Sequence, residues 1–103
     1  MYGAEYQKEV TVSVAADPGA GGGWSDPIEP LVPDGHGKVL LVITLAGSAV
    51  TVQVSTDKAN WYTFNQYTTV GGYVIDLPIS GVWLRAGVAA ADWSAAAAAL
   101  LRR

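Results

Sequence analysis

Catalysis needs titratable or nucleophilic side chains held at fixed spacing, and this chain offers few of them. Its single histidine, His36, sits between Gly35 and Gly37, just after Pro33-Asp34. A Ser-His-Asp arrangement can be drawn from His36, Asp34 and a serine. No nucleophile-elbow motif surrounds any serine, however, and a solvated turn histidine explains the setting better. There is no cysteine, so thiol nucleophiles, thiolate zinc sites and disulfides are all excluded. The nine carboxylates are scattered over turns and strand ends, with no Asp-x-Asp-x-Asp loop for calcium. Residues 19–23 are rich in glycine but lack the Gly-Lys-Ser/Thr ending of a phosphate loop. The expectation is no catalytic residue, no cofactor and no metal, which leaves binding or assembly.

The aromatic residues are more informative. Trp24, Trp61, Trp83 and Trp93 are more tryptophan than a small core needs. Along residues 82–88, Trp83 and Arg85 share one strand face, while Val82, Leu84 and Val88 share the other. If the aliphatic face is core, Trp83 and Arg85 point outward, where a guanidinium over an indole makes a cation–π contact. Trp and Arg are also favoured interface anchors. The alternative is that Trp83 covers the sandwich edge or fills a second core layer. Trp61 and Tyr62 point to opposite faces, which predicts one in the core and one on the surface. The candidate interface residues are therefore Tyr6, Trp24, Trp61, Tyr62, Trp83, Arg85 and Trp93. An exposed aromatic face can also stack on sugar rings, with Asn60, Asn65 or Gln66 as hydrogen-bonding neighbours, provided that the rings are coplanar.

These side chains must be positioned by strands, because period-two alternation dominates the chain. Val10, Val12 and Val14 alternate with Glu9, Thr11 and Ser13, and Val50, Val52 and Val54 alternate with Thr51, Gln53 and Ser55. Both runs read as half-buried strands. Residues 73–77 and 82–88 follow less cleanly. Residues 38–45 are apolar on both faces, which predicts a central strand covered on both sides. Ala46-Gly47-Ser48 predicts a tight hairpin, with Gly47 free to take a positive φ. Residues 56–60 predict the next turn, leading into the aromatic strand 61–64, and Gly71-Gly72 and residues 78–81 predict two more. Residues 17–23 read as a mobile loop. Pro27, Pro30 and Pro33 then make residues 26–34 extended and bar them from a central strand.

The C-terminus carries conflicting signals. Residues 95–99 are five alanines, and their propensity favours a helix capped by Asp92 or Ser94. A lone helix of about ten residues is marginal without packing, however, and a sandwich gains a closing strand there. Strand is the expectation. The fold expected is all-β: a small antiparallel β-sandwich or jelly roll forming one domain over residues 1–103, with a flexible Gly/Pro-rich segment near residues 17–35.

Composition narrows the partners. Half of the 103 residues are hydrophobic and only 15% are charged, against about 25% charged in an ordinary soluble domain. Some apolar surface is therefore expected to be buried against a partner. A net charge of −3 with scattered basic residues opposes nucleic-acid binding, which needs clustered cations. No apolar run reaches the ~18 residues that would cross a membrane, and the start of the chain has no basic-then-apolar leader. The expected partners include neither nucleic acid nor membrane, and the expected site of synthesis is a cytoplasm.

The run Val50-Thr51-Val52-Gln53-Val54-Ser55-Thr56-Asp57-Lys58-Ala59-Asn60-Trp61-Tyr62, the later Gly81-Val82-Trp83-Leu84-Arg85-Ala86-Gly87-Val88 and a closing strand together resemble small virion proteins of tailed bacteriophages. These are the jelly-roll or sandwich proteins that decorate and cement capsids. The likeness spans residues 37–103, and residues 1–36 match only as a generic strand and loop. The alanines at 95–99 depart from the more β-branched closing strand of that family. The resemblance implies a structural role on the outer capsid surface of a virion assembled in a bacterial host. It also implies the major capsid protein as partner and a homo-oligomer, dimer or trimer. A glycan-binding or adhesion module of a phage tail or virion surface is the alternative.

Overall fold

Strands form wherever the period-two pattern is strong, because alternation lets one face leave water while the other stays solvated. The computed structural model describes residues 8–30, 37–77 and 81–103. Within them lie β1 (Glu9–Val14), β2 (Gly23–Trp24), β3 (Gly37–Ala46), β4 (Val50–Ser55), β5 (Tyr62–Tyr67), β6 (Gly71–Leu77), β7 (Trp83–Val88) and β8 (Ala97–Arg102). A single 3-10 turn, Ala90–Asp92, is the only helical element among the described residues. One sheet has the order β1-β8-β3-β6 and the other β2-β7-β4-β5. All the pairings are antiparallel.

The pairs β1·β8, β2·β7, β3·β6 and β4·β5 are nested, as if one long hairpin with its bend at β4–β5 had been rolled over on itself. That is jelly-roll connectivity. Among the described strands only β4 and β5 are both consecutive and paired, and each of the other connections between them crosses between the sheets. The core lies between the two inner faces and includes Leu41, Ile43, Val52, Ile75, Leu84 and Leu101, all fully buried. Each such side chain contributes about 1.5–3 kcal/mol by leaving water.

Several expectations change. Residues 46–48 do not form a hairpin, because β3 and β4 belong to different sheets. Gly47 is not among the glycines with positive φ. It is required for space, since a Cβ there would sit 2.3 Å from the carbonyl oxygen of Ala96. Gly71 and Gly72 are not a turn but the first residues of β6. β3 is covered on one face only. On its outer face Leu40 is 38% exposed and Leu45 49% exposed, and Val74, across from Leu40 in β6, is 70% exposed.

The stretch read as a flexible arm is built into the domain as far as Pro30. The Asp17 carboxylate accepts the Gly19 amide at 2.9 Å, and β2 pairs with β7. Ile28, fully buried, bridges to Leu84 in the same sheet. Pro27 and Pro30 accordingly flank a bridge at the sheet edge, and Pro33 lies outside the described residues. Residues 31–35 and the expected turn at 78–80 lie outside the described residues, as do Tyr6 and His36.

The last three of the C-terminal alanines, 97–99, open strand β8, which agrees with the expectation of a strand rather than a helix. β8 fills the gap between β1 and β3 and hydrogen-bonds on both sides. Ala97 and Ala99 face the core. The Ser48 hydroxyl locks the entry to this strand: it donates to the Ala95 carbonyl at 2.6 Å and accepts the amides of Ser94 at 2.8 Å and Ala95 at 3.0 Å. Tertiary pairing thus overrides the helix propensity of alanine.

Candidate functional site

The outer face of the β2-β7-β4-β5 sheet gathers three of the four tryptophans, Trp24, Trp61 and Trp83. Alternation along β7 sends Trp83 and Arg85 outward while Leu84 and Ala86 are buried. In β4 the outward residue beside Arg85 is Gln53, its cross-strand partner. The Gln53 side-chain oxygen accepts Arg85 Nε at 2.9 Å and Nη2 at 2.7 Å, which fixes the guanidinium plane. Trp24 lies over the guanidinium at 4.5 Å from β2 on one flank. Trp61, just before β5, lies over it at 4.4 Å from the other. Partial burial among these groups pulls the Arg85 pKa below its ordinary value, yet a guanidinium is still a cation at neutral pH.

Each indole is held from behind. Trp24 Nε1 donates to the Gly21 carbonyl at 2.8 Å, and Trp61 Nε1 donates to the Lys58 carbonyl at 3.3 Å. β2 can approach β7 this closely because Gly87 lies opposite Trp24. A Cβ on Gly87 would come within 1.9 Å of the Gly23 oxygen.

The β4–β5 turn supplies a second cation. The amides of Ala59 and Asn60 donate to Asp57 Oδ1 at 2.9 and 2.8 Å, Asn60 Nδ2 donates to Oδ2 at 2.9 Å, and the Ser55 hydroxyl donates to Oδ1 at 2.9 Å. These donors hold the Asp57 carboxyl well below the usual carboxylate range, with the Asn60 and Ala59 amides as the leading cause. The turn places Lys58 at φ 61°, and its ammonium sits over the Trp83 ring at 4.3 Å. The face therefore carries two cations, each stacked on indole.

The other described candidates, Tyr62 and Trp93, lie elsewhere. Tyr62 is 67% exposed and lines an apolar groove of about 310 Å³ with Val54, Phe64, Leu77 and Val82. Trp61 is half-buried on the opposite face, so neither member of that pair is core. Trp93 packs against the core rather than joining the stack. Among the described residues no three His, Cys, Asp or Glu side chains gather to hold a metal. Sequence reasoning missed Gln53 and Lys58. Gln53 was recoverable as an outward position of an alternating strand. Lys58 was not, because its placement depends on a left-handed turn residue. No family model, curated protein or solved structure matches the chain.

Proposed function

We propose that this chain is a non-enzymatic assembly module that decorates a protein lattice, with a phage capsid the lattice to which its sequence resemblance points. The observation that carries this reading is the guanidinium of Arg85, pinned by Gln53 and flanked by Trp24 and Trp61. Arg and Trp are the residue types that dominate protein-interface energetics, and here they are held in place before any partner arrives. Such preorganisation lowers the entropy cost of docking. The exposed apolar residues of the other sheet, Leu40, Leu45 and Val74, add surface that suits contact with protein. Jelly rolls serve as capsid and lectin domains alike, so the fold alone does not choose between them.

The rings weigh against a sugar platform. Trp24 and Trp61 turn a face to Arg85, and their N–H groups are spent on backbone carbonyls. The chain is expected in purified heads at a copy number comparable to that of the major capsid protein. A trace amount, or confinement to the tail, would refute the proposal. Trp83→Ala is expected to weaken capsid binding more than tenfold, as loss of an interface anchor does at about 2 kcal/mol or more. Its unfolding free energy should fall by no more than about 1 kcal/mol, the scale of an exposed cation–π pair. Equal losses of binding and stability would assign Trp83 to the fold instead.

A further inference from the structure

We infer that the outer face of the second sheet takes an extended acidic peptide segment, with one carboxylate on Arg85 and another on Lys58. The inference deepens the docking reading above by naming the chemistry of the partner. Arg85 spends Nε and Nη2 on Gln53, and Nη1 bonds to no other described residue. Its plane is already fixed, so the two donors of Nη1 have a set direction. A planar guanidinium with free donors is matched by a carboxylate oxygen.

Lys58 is in the same condition. Its ammonium rests on the Trp83 ring, and among the described residues neither cation is ion-paired. Asp57, next in sequence to Lys58, already accepts hydrogen bonds from the amides of Ala59 and Asn60, the Asn60 side chain and the Ser55 hydroxyl. Two cations thus stand on rings, without a described counter-ion, on a chain of net charge −3.

Spacing specifies the ligand further. Trp83 and Arg85 are two residues apart on β7 and point to the same side, which separates their positions by about 7 Å. Residues i and i+2 of an extended peptide have the same separation and also share a face. A Glu-x-Glu segment lying along β7 therefore matches the spacing of the two β7 positions, Trp83 beneath Lys58 and Arg85 itself, at which the cations stand. The indoles on either side of Arg85 keep the ion pair partly out of water, where it is stronger than at an open surface.

The test titrates the isolated full chain with an acetylated and amidated Thr-Glu-Thr-Glu-Thr peptide, following the Arg85 Nε–H and Trp indole N–H signals by NMR. Saturable shifts are expected at constant ionic strength. Replacing one Glu of the peptide by Gln should weaken binding about three- to fivefold, the upper range for an exposed ion pair. Arg85→Gln should lose the response while keeping a cooperative unfolding transition, and Arg85→Lys should bind more weakly than the parent because it lacks the planar fork. Equal affinity for the all-Gln peptide, or the same shifts with sodium chloride alone, would overturn the inference. Preferential binding of a galacturonate dimer would move the carboxylate to a sugar and overturn the peptide assignment. So would movement of the Arg85 signal in ligand-free Glu5→Gln or Asp34→Asn protein, which would reveal a carboxylate from within the chain. Capsid stoichiometry does not enter this test, so either idea can fail without the other.

Discussion

Gly87→Ala tests the geometry on which the aromatic stack depends. The added Cβ would meet the Gly23 carbonyl oxygen at 1.9 Å, Trp24 Cα at 2.8 Å and the Gly23 carbonyl carbon at 2.9 Å. All three are backbone atoms, so no rotamer change relieves the clash. β2 has to withdraw by a distance on the order of 1 Å, which breaks ladder bonds whose ordinary length is about 2.9 Å. The Gly23↔Val88 pair, the bonded pair next to Ser25 and Ala86 in the antiparallel ladder, loses two bonds worth about 1 kcal/mol each. Separating Trp24 from Arg85 removes about 0.5–1 kcal/mol more. The damage should stay local, because Ser25 N still donates to Ala86 O at 2.8 Å and Ile28 still bridges Leu84. The expected total of about 2–3 kcal/mol lowers the thermal midpoint by about 10–20 °C in a domain of this size. Calorimetry gives the midpoint, and the indole N–H signal of Trp24 reports the loss of stacking. A variant that melts within about 2 °C of the parent, with that signal unmoved, would refute the β2–β7 register and with it the flanked guanidinium.

Other perturbations reach different parts of the fold. Ser48→Ala strands the amides of Ser94 and Ala95 and should cost about 1–3 kcal/mol, measured by urea denaturation. Leu101→Ala, at a fully buried position of β8, should cost about 2–5 kcal/mol. A loss below about 0.5 kcal/mol, as at surface sites, would mean that the C-terminal strand is not part of the core. The carboxyl of Asp57 is held below its unfolded-state value, so its stabilising effect is present above about pH 4 and fades as pH falls through the folded value. Between neutral pH and pH 4, Asp57→Asn should unfold more easily than the parent, and below pH 4 the two should converge. A constant difference down to pH 2 would contradict the turn geometry. The nested, largely non-local pairing predicts refolding in milliseconds to seconds, and a microsecond phase in stopped-flow or temperature-jump traces would contradict it.

Much of the strand content was legible because alternation is a local property. Val10, Val12 and Val14 identify β1 without knowledge of what they face, and the same holds for Val50, Val52 and Val54 in β4. The shared face of Trp83 and Arg85 was legible for the same reason. Turn chemistry was a poorer guide. Ala46-Gly47-Ser48 has the composition of a hairpin but joins two sheets, because local residues favour a chain reversal without specifying where the next strand pairs. Gly47 is glycine on account of Ala96, a residue far along the chain.

What the sequence determined by itself, then, is which residues alternate, which segments cannot be central strands, and which chemistries are absent for want of side chains. Tertiary structure alone decided the nested pairing that brings β1 beside β8 and β2 beside β7. It turned an alanine run into a central strand, since both neighbours of β8 satisfy its backbone and small side chains fit between the sheets. It also brought Trp24, Gln53 and Trp61 to Arg85 from three separate stretches of chain. The physical reason is range. Side-chain alternation and φ preference act within a few residues, whereas burial and ladder hydrogen bonding act between segments that only the folded chain makes neighbours.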